Sequence, residues 1–235
     1  CFGVFGPKSR NLMEKLSKDN FTNVNFKFGT GKEIKINNKK VWAQRLSYVG
    51  ELGFELYIKM EESREIYKLI IDKGKEFNIS HCGMFAMDTM RMEKGYLHWG
   101  HDISPEENQY EAGLKFAISF KKNIDFIGKK SIEKIKKEKN KKKMVMLTLK
   151  NNKPGFPLLL HDEPIYCDGK IVGRTTSGNY SFNYKKNMSL GYINLDSPIE
   201  ELEKKTFFIE VEKIKYEAIL QSKPLHDPEN KIIKS

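Results

Sequence analysis

Residues 47–58 read SYVGELGFELYI, and residues 83–95 read GMFAMDTMRMEKG. The first string closes on a strict two-residue alternation. Phe54, Leu56 and Ile58 fall on one side and Glu55 and Tyr57 on the other, the pattern of a strand with one buried and one wet face. Glu55 is therefore an acid presented from a sheet. Gly50 and Gly53, so close together beside a strand, mark a bulge or a tight backbone approach, which a flat ligand or plain packing would equally require. The second string carries a helical pattern that Gly95 ends. Asp88 and Arg91 are spaced to pair on that helix, and Glu93 and Lys94 read as exposed charges.

Working outward, Gly6-Pro7 precedes a helical pattern with Leu12, Met13 and Leu16 on one face. Strand signals follow at 24–28, 33–36 and 40–46, with Asn37-Asn38 as the hairpin turn between the last two. From Ser63, a cap, Ile66, Leu69, Ile70 and Phe77 recur at helical spacing. Alternating helices and strands of this kind place the first part in the α+β class. From about Met144 the signals are those of a small β-barrel, with strands at 144–149, 165–166, 171–172, 189–193, 207–211 and 216–220. Asp168-Gly169 and Glu212-Lys213 read as hairpin turns, and 175–180 as a polar turn connecting strands. The division is a first domain over 1–131, a lysine-rich connector over 132–142 and a barrel domain over 143–235.

The formal net charge of +11 over 235 residues invites a nucleic-acid reading. Its distribution argues against one. Many of the lysines crowd into 129–143, where the apolar pair Ile132 and Ile135 stands without interleaved aromatics for base stacking. Apolar runs fall far short of the ~20 residues a membrane span needs, and no signal segment opens the chain. Cys1, Cys82 and Cys167 form no C-x-x-C pair, which fits a reducing compartment. His98 and His101 lack the further ligands a metal centre needs. Walker A, G-x-S-x-G and G-x-G-x-x-G strings are missing from the chain, so nothing in it would bind FAD through a dinucleotide fold.

The string from Tyr48 to Glu55, the block from Gly83 to Gly95, and GKIVGRTTSGNYS (169–181) with LGYI (190–193) resemble the folate-binding aminomethyltransferase family. That family includes the glycine cleavage T protein and the C-terminal half of dimethylglycine and sarcosine dehydrogenases. YVGELG at 48–53 and FIGK at 126–129 are closer to the dehydrogenase branch. The resemblance spans nearly the entire chain. It implies an α+β folate-binding aminomethyltransferase domain, incomplete at its N-terminus, followed by a small C-terminal β-barrel.

In the family the glutamate matching Glu55 grips the pterin of tetrahydrofolate, since a carboxylate accepts an amide-type N–H and the adjacent amino group at once. The resemblance also implies Tyr48, Arg91 and Tyr96 as folate-binding residues. A T-protein arginine that holds folate is replaced here by Met87. In the dehydrogenase branch an FAD-carrying flavin domain of the same full-length chain oxidises an N-methyl amine. Tetrahydrofolate then captures the carbon as 5,10-methylenetetrahydrofolate. The family's acid/base aspartate lies upstream of what matches Cys1, and none of Asp72, Asp88 or Asp102 takes its place. This implies a chain that is part of a longer enzyme and inactive alone, in a bacterial cytoplasm or a mitochondrial matrix, with no nucleic-acid or membrane partner. For the lysine-rich stretch, the glutamate tail of a folate is a better partner than DNA. A T protein with an altered arginine site, a sulfonium demethylase and a non-enzymatic folate-binding accessory protein of iron–sulfur cluster maturation are the alternatives.

Overall fold

The computed structural model describes residues 1–122, 124–138, 142–151 and 153–235. They form two compact units, Cys1–Lys94 with His226–Ser235, and Gly95–Leu225.

In the first unit, β1 (Phe2–Phe5), β2 (Gly31–Ile36), β3 (Lys39–Gln44) and β4 (Gly53–Tyr57) make one antiparallel sheet in the order β1-β4-β3-β2. Asn37 and Asn38, at φ 47° and 62°, form the expected two-residue hairpin turn, the left-handed conformation that asparagine tolerates best among non-glycine residues. One sheet face carries Val4, Ile34, Ile36, Val41, Ala43, Phe54 and Leu56. It shares a core with Leu12, Met13 and Leu16 of α1 (Ser9–Leu16) and with Ile66 and Ile70 of α2 (Met60–Gly74). Phe21 and Phe26 complete that core, each with its ring centroid 5.6 Å from that of Phe54, within the range of favourable aromatic pairs.

Two expectations fail here. Residues 24–28 are not a strand: the Asn25 and Phe26 amides both bond to the Thr22 carbonyl, and the Asn20 side chain accepts from Thr22. Such local bonds from short polar side chains compete with a sheet ladder. Helix α2 begins at Met60 rather than at Ser63, because the Ser63 hydroxyl donates back to the Met60 carbonyl inside the first turn.

The second unit is built on a closed six-stranded barrel in the order β10-β5-β8-β7-β6-β9. Its strands are β5 (Lys143–Leu149), β6 (Pro164–Cys167), β7 (Lys170–Ser181), β8 (Lys186–Ile193), β9 (Phe207–Val211) and β10 (Ile214–Gln221). The turns at Asp168-Gly169 and Glu212-Lys213 take positive φ at both central residues, as the right-handed strand twist requires. Residues 175–180 run through β7 and pair with β8, so they are strand and not turn. Of their polar side chains, those of Thr175 and Ser177 are buried, and the Thr175 hydroxyl donates to the Glu163 carboxylate. Polar composition alone therefore misleads at this point. A helix, α4 (Lys129–Ile135), occupies the start of the lysine-rich stretch. Residues 139–141 of the connector lie outside the described residues. No helix among the described residues is long and apolar enough to cross a membrane.

Candidate functional site

Alternation along β4 puts Phe54 and Leu56 into the core and turns Glu55 and Tyr57 to the other face. That face is built by register. Glu55 stands between Gly3 of β1 and Gln44 of β3, and Gln44 in turn faces Gly31 of β2. A row of Gly3, Glu55, Gln44 and Gly31 thus crosses all four strands. On one side Phe5 pairs with Gly53, and on the other Tyr57 pairs with Trp42.

The glycines in this row have a job. The Phe5 ring fills the space that a Cβ on Gly3 or Gly53 would need, and the Trp42 indole does the same over Gly31. Both rings therefore lie against backbone at the two ends of the row. The half-buried Glu55 and Gln44 side chains stand between them. Trp42 is 46% exposed and Tyr57 44%, large apolar surface on an open face, which marks a contact surface more often than a lone exposed aromatic does. The Tyr57 hydroxyl donates to Glu55 Oε2 at 2.8 Å. That bond and the carboxylate's charge push the phenol pKa above its ordinary value. Glu55 Oε1 keeps its acceptor capacity.

Tyr48 sits half-buried in the loop between β3 and β4. That loop is pinned at several points. The Val49 amide donates to the Ser47 hydroxyl at 3.1 Å, and His226 Nε2 lies 2.8 Å from Glu51 Oε1. Gly50, at φ +79°, packs where a Cβ would stand 3.0 Å from both Lys94 and His226. Its glycine is therefore explained by packing, and that of Gly53 by Phe5.

Arg91 is buried at the end of α3 (Met84–Glu93) and holds Asp88 through Nε at 2.8 Å and Nη2 at 2.7 Å. Lys94, expected to be exposed, is buried. Its ammonium donates to the Asp227 carbonyl at 2.5 Å and to Asp227 Oδ2 at 3.0 Å. Glu93 is likewise buried. The partner of Lys94 lies 133 residues away in sequence, so no local pattern could have revealed it. Arg45 is also missed by sequence reasoning. It is 1% exposed and donates to the carbonyls of Phe26, Lys234 and Ser235 at 2.6, 3.0 and 2.7 Å.

Tyr96 is half-buried near the start of the second unit. In the same unit the His98 and His101 rings stack 4.6 Å apart. Asp102 accepts from the His98 amide at 2.8 Å and from the Thr176 hydroxyl at 2.5 Å. Among the described residues no group of three or more metal-ligand side chains comes together.

Residues 1–122 match the GCVT N-terminal domain, and residues 142–227 match the glycine cleavage T-protein C-terminal barrel domain. The chain belongs to the glycine cleavage T-protein family. Among its curated relatives is the mitochondrial dimethylglycine dehydrogenase of Homo sapiens, 38% identical over 191 residues, which are 81% of this chain and 22% of that protein. The aminomethyltransferase of Halothermothrix orenii is 34% identical over 192 residues, 81% of this chain and 52% of the relative. This chain thus spans about a fifth to a half of the length of those relatives. The crystal structure of glycine cleavage system aminomethyltransferase T from Bartonella henselae superposes with a TM-score of 0.78 at 21% identity, covering 95% of this chain and 58% of that one. The shared fold is an aminomethyltransferase-type domain followed by the six-stranded barrel, and relatives in the family are dehydrogenases and aminomethyltransferases.

Proposed function

We propose that this chain is the tetrahydrofolate-binding, one-carbon transferring part of a dimethylglycine or sarcosine dehydrogenase-like flavoenzyme. The observation that carries the reading is Glu55. Its carboxylate is set on a sheet face by Tyr57, has an acceptor oxygen to spare and stands between two aromatic rings that fill the space above glycines. Such a site suits a flat heterocycle with adjacent N–H donors, and the pterin of tetrahydrofolate is one. We assign Tyr48, on the pinned loop, and Arg91 as further folate-binding residues of the first unit. Arg91 acts with Asp88 already in hand. Residues 1–131 are then the later part of the folate domain, 132–142 the connector and 143–235 the barrel domain.

In this reading FAD belongs to a flavin domain elsewhere in a longer chain, which supplies the oxidised carbon of an N-methyl amine. Bound tetrahydrofolate captures that carbon as 5,10-methylenetetrahydrofolate. What this chain's residues contribute is positioning: a folate held rigidly by Glu55 meets a short-lived electrophile far more often than a free one, an effect that lowers barriers by several kcal/mol.

The test is a calorimetric titration of the chain with tetrahydrofolate under anaerobic, reducing conditions. Saturable binding at one site per chain is the expected result. Absence of saturable folate binding, together with DNA affinity that falls steeply with salt, would replace this reading with a nucleic-acid one.

A further inference from the structure

We infer that Gln44 is a second reader of the ligand's polar edge, acting beside Glu55; the inference rests on the pteridine reading above. Gln44 is directly opposite Glu55 in the β3–β4 ladder, and such cross-strand neighbours have Cβ atoms about 5 Å apart on the same face. The two side chains are the polar centre of a row whose ends are closed by Phe5 over Gly3 and by Trp42 over Gly31. A flat ring lying over Glu55 between those aromatic ends therefore also reaches Gln44.

The donor and acceptor inventory completes the argument. An ionised Glu55 can only accept hydrogen bonds. It suits the ring N–H and the amino group of a 2-amino-4-oxopteridine, but it cannot recognise the oxo oxygen next to that N–H. Gln44 carries an amide NH2 that can. No hydrogen bond within the described residues engages the Gln44 side chain, so that donor is available. Glu55 and Gln44 together offer an accept-then-donate sequence that mirrors the N–H and oxo groups of the ligand edge. Glu55 grips the pteridine, and Gln44 selects the oxo group at position 4.

The experiment compares folic acid with its 4-amino analogue, in which the oxo group becomes an amino group. Calorimetric affinities are measured on the wild type and on Gln44→Leu, Gln44→Glu and Glu55→Ala, with thermal melts confirming that each variant folds. The wild type is expected to favour the 4-oxo compound. Gln44→Leu should weaken it about tenfold, the worth of one hydrogen bond in a partly shielded site. Gln44→Glu, which can only accept, should narrow the preference for the 4-oxo compound; part of that preference persists, because N3 of the 4-amino analogue carries no hydrogen for Glu55 to accept. If Glu55→Ala abolishes binding while both Gln44 variants keep the wild-type affinity and preference, Gln44 is not a reader and the folate assignment stands. If Glu55→Ala leaves binding unchanged, the pteridine reading itself fails and takes this inference with it.

Discussion

Replacing Asp227 by Asn removes the negative partner of a buried ion pair that ties His226–Ser235 to the first unit. Burial by itself would raise the Asp227 pKa. The amides of Ile232 and Ile233, the Lys94 ammonium and the Lys231 amide outweigh it and hold the carboxyl down to about 2. Against an ordinary value of 3.8, the ionised form favours the folded state by about 2.5 kcal/mol, taking ~1.4 kcal/mol per unit. The sign follows from the depressed pKa: this stabilisation is complete above the unfolded-state value and is lost as pH falls through the folded one. The Asn variant also strands Lys94, whose side chain is 2% exposed, without a counter-charge, and breaking a buried pair costs about 3–5 kcal/mol. Urea unfolding followed by Trp42 fluorescence, in a Trp99→Phe background, should show that loss at pH 7. The gap between wild type and variant should narrow by about 2 kcal/mol between pH 5 and pH 2. A variant within about 1 kcal/mol of wild type at pH 7, or a gap that ignores pH, would show that the pair does not hold the terminal segment.

Two further outcomes are expected. Gly50→Ala forces a Cβ against Lys94 and His226 at a φ of +79° and should cost about 1–3 kcal/mol; a thermal melt unchanged from wild type would mean that the loop carrying Tyr48 is not packed as described. The Tyr192 hydroxyl is buried without a hydrogen-bond partner among the described residues, so Tyr192→Phe should leave barrel stability equal or slightly higher, and a clear loss of stability in denaturant titration would reveal an unrecognised partner.

Local chemistry made much of this fold legible. Period-two alternation placed Glu55 and Tyr57 opposite Phe54 and Leu56, and the dipeptides Asn37-Asn38, Asp168-Gly169 and Glu212-Lys213 announced their hairpins because so few residues accept left-handed backbone. What stayed hidden depended on partners distant in sequence. Lys94 and Arg45 look like surface cations until the returning terminal segment supplies Asp227 and the carbonyls of Lys234 and Ser235. Phe5, Trp42 and Gln44 could be placed beside Glu55 only once strand register was known, since register decides which residues of separate strands share a row. The stretch 175–180 looked like a turn because its hydroxyls are polar, yet inside β7 they find acceptors.

The central claim is that the Glu55 carboxylate holds the N–H edge of a reduced pteridine. Tetrahydrofolate affinity of Glu55→Gln, measured by calorimetry beside the wild type, tests it most directly. Two charge-assisted hydrogen bonds at stake, about 1.5–3 kcal/mol each, predict a loss of about a hundredfold or more. An unchanged dissociation constant in a folded variant would contradict the account.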